Sequence, residues 1–366
     1  MNTTTEVISP LSLIRQIYTV RFTTPAFLGD AEQNGAWRTP PFKALLREWW
    51  RIAVAKEHGY DHRRLRETEG RLFGNAWLKD EFQRSKIMLR LDRWEAGKLN
   101  QWPVPDPTVI HREVTNHAGN PRPVGSHLYL GYGPLVFRQG NTALRANAAL
   151  QADETNTLRI ACPKAAADMI RQTLQLMAWF GALGGRSRNG WGSLELNSEG
   201  GAPEAFQPNH RWLQAITRPL NDCLQLDWPH ALGRDQQGLL IWKTKLDYGQ
   251  WREVMKELAC VKIAFRTALK FTGPPGQPDR RHVLAYPVTH HAIGAWGHQA
   301  RLANQLRFKV IRAGNRLVGL AYHLPCSTPD ELLRPLHNAQ NSFRQQQLSV
   351  WQEVHAQLDA LMNRLT

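Results

Sequence analysis

Hydrophobic and polar residues alternate near the start of the chain and then repeat with a helical period. Every second residue is apolar over residues 18–22, which predicts a half-buried strand that ends at Thr24-Pro25. Apolar residues recur every three to four positions over residues 42–58, directly after two prolines, and predict a helix. A second strand, with one apolar and one basic face, is predicted over residues 85–94.

A segment rich in glycine follows the next predicted strand and helix. The strand is predicted at residues 158–161, and the helix from Pro163 to Phe180. Five glycines then fall within residues 181–192, the glycine-rich segment, and end the helix. Residues 193–196 are predicted to form a short strand.

Two stretches lack a clear period. Residues 99–134 are dense in Pro, Gly, Asn and His, which predicts a long functional loop or an irregular insertion whose role the sequence does not give. Residues 198–208 are predicted to be a linker between two domains.

The second half of the chain repeats a similar order of elements. The predicted elements are a strand at 239–246, a helix at 248–269, a hairpin of strands 306–311 and 317–323, and a final helix at 343–365. Residues 328–331 match a capping box at a helix start. The sequence therefore predicts an α+β fold of two ferredoxin-like (RRM-like, βαββαβ) domains with insertions, over residues 1–200 and 210–366. Such sheets commonly present one face to RNA.

Composition adds a class of partner to this prediction. Lys and Arg outnumber Asp and Glu by 46 to 31, and the formal charge of +15 attracts polyanions such as RNA, DNA or an anionic membrane surface. Fourteen tryptophans could supply stacking surfaces for bases, although the alternative is that most of them are core residues.

Other features indicate a cytoplasmic protein without a cofactor. The first ten residues lack the basic and apolar regions of a signal peptide, and no apolar run approaches the roughly 18 residues of a membrane span. The four cysteines, at positions 162, 223, 260 and 326, are too far apart for a CxxC pair, as suits a reducing compartment.

Basic residues at helical spacing are candidates for binding RNA. Lys43, Arg47 and Arg51 recur every four residues on the first helix, and Trp50 is predicted to lie toward the same polar side, whereas Trp49 is predicted to be core. The second long helix repeats this spacing on its predicted outer face, where a solvated surface is the alternative. Its candidate residues are Lys262, Arg266 and Lys270.

The glycine-rich segment is a candidate for approaching phosphate groups. Glycines permit close approach of bare backbone amides, and its two arginines supply charge. A helix end followed by a tight turn is the alternative, and the absence of GxxxxGK[ST] means that nucleotide hydrolysis is not implied. The candidate residues are Gly184, Gly185, Arg186, Ser187, Arg188, Asn189 and Gly190.

Three segments resemble the RAMP superfamily of CRISPR-associated proteins. Residues 181–194 look like its glycine-rich signature. Residues 22–51 are similar to the opening of the first subunit of the type III-B (Cmr) effector complex, and residues 301–310 resemble a strand in the second domain of that subunit.

The resemblance implies two packed ferredoxin-like domains and a non-catalytic role in antiviral defence. Such a subunit binds guide and target RNA near the 3′ end of the guide, together with other Cmr subunits, and needs no membrane. The residues that match the basic motif of the family are Lys43, Arg47, Trp50, Arg51, Arg186, Ser187 and Arg188.

Three alternatives remain at this point. Guide-processing endonucleases of the superfamily use a histidine base without metal, which makes His58, His62 and the histidines of residues 111–127 candidates. The second alternative is chemistry that depends on a metal. A metal site at His290-His291 and His298 lacks acidic or cysteine partners nearby in sequence, and RNA cleavage with a metal at Asp30 or Glu32 would require that carboxylate to lie beside the scissile phosphate. A basic scaffold that binds only proteins is the third.

Overall fold

The computed structural model of the chain describes residues 12–77, 82–199 and 205–365. The first elements along the chain are β1 (Leu13–Phe22), α1 (Thr39–Val54), α2 (His62–Phe73) and β2 (Met88–Leu91). They confirm the predicted strands and the predicted helix, although that helix ends at Val54 rather than at residue 58. Two prolines lie in the first turn of α1, where the amide that proline lacks has no partner within the helix.

An insertion between β2 and the next strand of the main sheet is more regular than the sequence predicted. It contains β3 (Thr108–Thr115), β4 (Pro121–Gly125), α3 (Ser126–Gly131), β5 (Leu135–Arg138) and β6 (Asn141–Leu144), with β3 paired to β4 and β5 to β6. The expectation of a long loop or irregular insertion over residues 99–134 is therefore wrong for much of it. The hairpin was not predicted because β4 contains two prolines, which usually argue against a strand. A strand with one free edge nevertheless tolerates a residue without an N–H.

The first unit is completed by β7 (Thr155–Pro163), α4 (Ala167–Phe180) and β8 (Leu194–Ser198). Its antiparallel sheet has the order β2-β7-β1-β8. Helices α1 and α4 pack against each other, and Val20, Leu158 and Phe180 lie in the core that they share with the sheet.

A small three-stranded sheet follows, with the order β11-β10-β9. The elements of this region are α5 (Arg211–Ala215), β9 (Thr217–Pro219), α6 (Leu220–Cys223), β10 (Leu232–Asp235) and β11 (Gly238–Leu239). Residues 200–204 of the predicted linker lie outside the described part of the chain.

The second unit has the same strand order as the first. Its elements are β12 (Ile241–Lys243), α7 (Trp251–Ala268), β13 (Leu306–Ala313), β14 (Arg316–His323), α8 (Asp330–Leu333), α9 (Gln340–Leu361) and β15 (Asn363–Arg364). The sheet runs β13-β14-β12-β15, so in both units the third strand lies between the second and the first. The predicted hairpin and both long helices are confirmed.

The predicted capping box at residues 328–331 is wrong. Helix α8 begins after Pro329 without a side-chain cap. Both the backbone amide and the hydroxyl of Thr328 instead donate to Oε1 of Gln347 on α9, which joins two parts of the second unit.

Most of the tryptophans are buried in the protein interior. Nine of the fourteen tryptophans are buried, as the alternative interpretation of their abundance expected. Trp191 of the glycine-rich segment lies in the core of the second unit, whereas Tyr322 of β14 joins the core of the first. The two units are therefore packed together through the exchange of large side chains. Across residues 12–77, 82–199 and 205–365, no helix combines the length and hydrophobicity needed to cross a membrane.

Candidate nucleic-acid interface

A cleft of about 1100 Å³ lies between the two units. Its walls are α1, the end of β4 with α3, the glycine-rich segment, α7 and a loop before β13. Six cationic side chains line it: Arg186, Arg188, Lys262, Arg266, Arg301 and Arg307. Glu48 is the one carboxylate among its described lining residues, so the cleft has a strong positive field. We call it the basic cleft.

Glu48 neutralises one of these cations. Its carboxylate lies 2.6 Å from Arg307, whose side chain is buried. Burial raises the pKa of Glu48, but the charge and hydrogen bond of Arg307 outweigh burial and leave the pKa below its usual value. The pair is therefore charged at neutral pH, and the five other cations that line the basic cleft outnumber the one carboxylate.

Arg188 is half-buried beside this pair. Burial lowers the pKa of its guanidinium group, the charge of Arg307 lowers it further, and Glu48 opposes both effects. Its backbone is fixed, because the carbonyl of Arg188 accepts a hydrogen bond of 2.9 Å from the amide of Phe308 on β13. The arginine thus enters the basic cleft from a rigid position.

Arg186 lies at the mouth of the basic cleft, in a left-handed backbone conformation with φ of 59°. Its Nε donates a hydrogen bond of 2.6 Å to the carbonyl of Tyr132. The Tyr132 side chain also lines the cleft and is 66% exposed. A flat ring beside a guanidinium group can stack on a nucleobase, a role that the sequence analysis did not assign to Tyr132.

The prediction that Lys262 lies on an outer face of α7 is wrong. Its side chain is buried, and Nζ donates a hydrogen bond of 2.7 Å to Oδ1 of Asn189. Nδ2 of Asn189 donates to the carbonyl of Leu130 on α3. The insertion therefore covers this side of α7, which local spacing could not reveal. Arg266 also lines the cleft, whereas Lys270 is exposed outside it.

The glycine-rich segment offers fewer bare amides than the sequence predicted. The amides of Gly185, Ser187, Asn189 and Gly190 all donate to protein carbonyls, chiefly within the segment itself. A Cβ at Gly184 would lie 2.5 Å from the carbonyl oxygen of Phe27. The glycines thus close tight turns against the rest of the protein, which was the alternative interpretation, while the arginine side chains face the basic cleft.

The predicted cations of α1 lie elsewhere. Arg47 and Arg51 both bind the buried carboxylate of Glu69 on α2, at 2.5 and 2.7 Å. Lys43 is half-buried, and burial followed by the charge of Arg47 lowers its pKa. None of the three lines the basic cleft, and their contact with RNA stays a prediction.

Trp50 was predicted on the polar side of α1, and this is wrong. Its side chain is 1% exposed and packs edge-on against Phe73 of α2, with ring centroids 5.7 Å apart. Trp49 is fully buried, as predicted. Helix α2 covers the face of α1 that the local period left open.

The histidine and acidic candidates are dispersed. His58 contacts the hydroxyl of Thr68 at 2.9 Å, and His127 is fully buried with its pKa lowered to about 4 by burial. Oδ1 of Asp30 accepts the amides of Glu32 and Asn34 and so closes its own loop. The described residues contain no group of three or more metal-binding side chains.

Two cationic residues of the basic cleft were missed. Arg301 and Arg307 lie in residues 301–310, the segment that resembles a strand of the second domain, and the sequence analysis predicted no binding residue there. A signal was present, because Arg307 and Lys309 alternate with apolar residues in a strand that is otherwise hydrophobic, and buried cations in such a strand require partners.

Residues 19–195 match the family model of the RAMP superfamily. In fold, the chain is similar to Cmr1 from Pyrococcus furiosus in its apo form, with 13% identity, coverage of 89% of this chain and 96% of that chain, and a TM-score of 0.45. It is also similar to a chain of the type III-B Cmr-beta complex bound to cognate target RNA and AMPPnP, with 10% identity, coverage of 91% and 99%, and a TM-score of 0.51. No curated protein matches the chain in sequence.

Proposed function

We propose that this chain, whose residues 19–195 match the RAMP superfamily model, is a non-catalytic RNA-binding subunit of a type III-B (Cmr) CRISPR effector complex. Its partners would be guide RNA, target RNA and the other subunits of the complex, with contacts near the 3′ end of the guide. The observation that carries this proposal is the basic cleft with its six cations and one carboxylate.

The fold supports the proposal. The shared strand order of the two units fits two ferredoxin-like domains, which we assign to residues 1–200 and 210–366. The Cmr-beta complex with a chain of similar fold is itself bound to target RNA. A cleft lined by arginines suits a polyanion, because guanidinium groups bind phosphate through paired hydrogen bonds.

The chemistry of the lining favours binding over cleavage. Among the described lining residues there is no histidine, and Glu48 is held by Arg307. A general base for metal-free RNA cleavage must lie within hydrogen-bonding distance of the attacking hydroxyl. RNA in the basic cleft would therefore meet phosphate-binding groups but neither a histidine nor an unpaired carboxylate among the described lining residues.

Incubation of the purified full-length chain with labelled repeat-containing RNA tests this proposal. The RNA is incubated in EDTA and, separately, with Mg²⁺, and both binding and chain length are measured. We expect a shifted complex from which RNA of full length is recovered under both conditions. Site-specific cutting in EDTA that a single His→Ala variant abolishes would replace the proposal with the guide-RNA endonuclease alternative.

Assembly tests the other half of the proposal. The chain is mixed with the remaining Cmr-type subunits, with or without guide RNA, and co-purification is measured. We expect guide RNA to increase recovery of the chain. Recovery that does not depend on RNA, together with no RNA binding by the chain alone, would support a scaffold that binds only proteins.

A further inference from the structure

Lys262 is a buried cation without an acidic partner among the described residues. Its side chain lines the basic cleft, and the one hydrogen bond of its ammonium group goes to Oδ1 of Asn189. An ammonium group removed from water without a counter-charge is strongly unfavourable. An anion from outside the chain would therefore stabilise the charged form of this lysine.

Other donors lie around it. Arg266, one turn further along α7, and Arg186 both line the basic cleft. Burial lowers the pKa of Lys262 well below its usual value, and the charges of Arg266 and Arg186 lower it further. Two guanidinium groups thus lie beside a lysine whose ammonium form a bound anion would stabilise.

The hydroxyl of Tyr129 completes the group. It is buried without a hydrogen-bond partner in the described structure, and the Tyr129 ring lies 5.8 Å from Nζ of Lys262. Burial raises the pKa of this tyrosine, so its hydroxyl keeps its proton and can donate. The nearby carboxylate of Glu113 is already bound by both terminal nitrogens of Arg281.

We propose that Lys262, Arg266, Arg186 and Tyr129 form a subsite for a single phosphate group of a nucleic-acid strand. This proposal rests on the proposed function and names the chemical group that the basic cleft binds at this point. An ammonium group, two guanidinium groups and a hydroxyl match the several acceptor oxygens of a phosphate.

The subsite recognises phosphate rather than a base. Asn189, the amide side chain beside Lys262, uses Nδ2 for the carbonyl of Leu130 and Oδ1 for the lysine. These two bonds hold the buried amide in place, so it is poorly positioned to read the edge of a base. Binding at this point is therefore independent of base identity and requires the charge of the phosphate.

RNA titrations of full-length variants test the subsite. Lys262→Met keeps the length of the side chain and removes its charge, and Lys256→Met removes an exposed charge from the same helix. We expect Lys262→Met to weaken binding of single-stranded RNA about tenfold and to flatten the log–log salt slope by about 0.7, the share of one phosphate. Lys256→Met should leave both unchanged, and Tyr129→Phe should weaken binding with the slope intact.

The source of the phosphate is distinguished by the ends of the RNA. Oligonucleotides with a 5′-phosphate, a 3′-phosphate or only hydroxyl ends are compared with the parent protein. If the parent and Lys262→Met bind RNA that has only hydroxyl ends with equal affinity, the subsite binds a terminal phosphate. If the parent binds all three RNAs more tightly than Lys262→Met does, the subsite binds a phosphodiester within the strand.

Inorganic phosphate separates the subsite from the proposed function. Thermal unfolding is measured in phosphate and in chloride at equal ionic strength. We expect phosphate to stabilise the parent but not Lys262→Met, even if RNA does not bind. If Lys262→Met binds RNA like the parent while Arg188→Ala weakens it, the subsite is overturned and the RNA-binding function stands. Equal responses of parent and Lys262→Met to phosphate would also overturn the subsite.

Discussion

The ammonium nitrogen of Lys309, on β13 of the second unit, lies 2.6 Å from the carbonyl oxygen of Gly181, where the glycine-rich segment of the first unit begins. It also donates to the carbonyls of Ala178 and Leu194, each at 2.7 Å. A cation at the end of α4 complements the negative end of the helix dipole. One buried side chain thus fixes the glycine-rich segment from across the interface between the units.

Lys309→Met should destabilise the protein by about 3 kcal/mol, because it leaves three buried carbonyl groups without their donor. Urea unfolding of the full-length chain measures the change. Lys245→Met is the matched control, since that exposed lysine donates to a single carbonyl, that of Ala360. An equal loss of stability in both variants would show that the buried lysine does not join the units.

The turn at Gly192 should tolerate no side chain. Its φ is 66°, and a Cβ would lie 1.9 Å from the carbonyl oxygen of Leu183. Gly119 has a φ of 80° but open space around it. We expect Gly119→Ala to cost about 1 kcal/mol from backbone strain alone, and Gly192→Ala to cost about 3 kcal/mol or more. Equal unfolding free energies for the two variants would contradict the close packing of the glycine-rich segment.

Stability should fall on mild acidification. Burial lowers the pKa of His230 to about 4 and of His355 to about 3. The unfolded chain, whose histidines have a pKa near 6.5, takes up protons below that pH while the folded chain does not. This contribution is therefore complete above pH 6.5 and is lost as the pH falls toward 4, by about 1.4 kcal/mol per pH unit for each histidine.

Urea unfolding at pH 7.5, 6 and 5 measures this loss. His230→Gln should show a shallower pH dependence than the parent by about one proton. Burial is the main reason that the folded state keeps this histidine neutral, and the positive charge of Arg218, whose guanidinium group lies 2.7 Å from Nε2, lowers the pKa further. The same slope in the variant and the parent would rule out His230 as a contributor.

Local patterns predicted the elements of the fold well. Alternation located β1, a turn at Gly314-Asn315 between two apolar runs located the β13–β14 hairpin, and the helical period located α1, α4, α7 and α9. The small strands of residues 99–150 have weak patterns and many turn residues. Strand β3 and helix α3 of this region pack on α7, which comes more than a hundred residues later in the chain.

The candidate site was harder to predict for the same reason. Which side of a helix is open depends on what packs there. Helix α2 covers Trp50, and the insertion covers Lys262. Arg186, Arg188, Lys262 and Arg266 do line one cleft, but Arg47 and Arg51 of α1 are held by Glu69 instead. Residue type and spacing indicated charge, whereas only the three-dimensional packing brings the charges together.

The salt dependence of RNA affinity in paired double variants tests the central claim most directly. Arg188→Ala with Arg301→Ala removes two cations from the basic cleft, whereas Arg171→Ala with Arg344→Ala removes two exposed arginines outside it. Both doubles change the net charge equally. We expect the cleft double to lose at least about tenfold in affinity and up to about 1.4 in the log–log salt slope, and the control double to bind like the parent. Equal losses in the two doubles would show that RNA follows net charge alone and would contradict a binding site in the basic cleft.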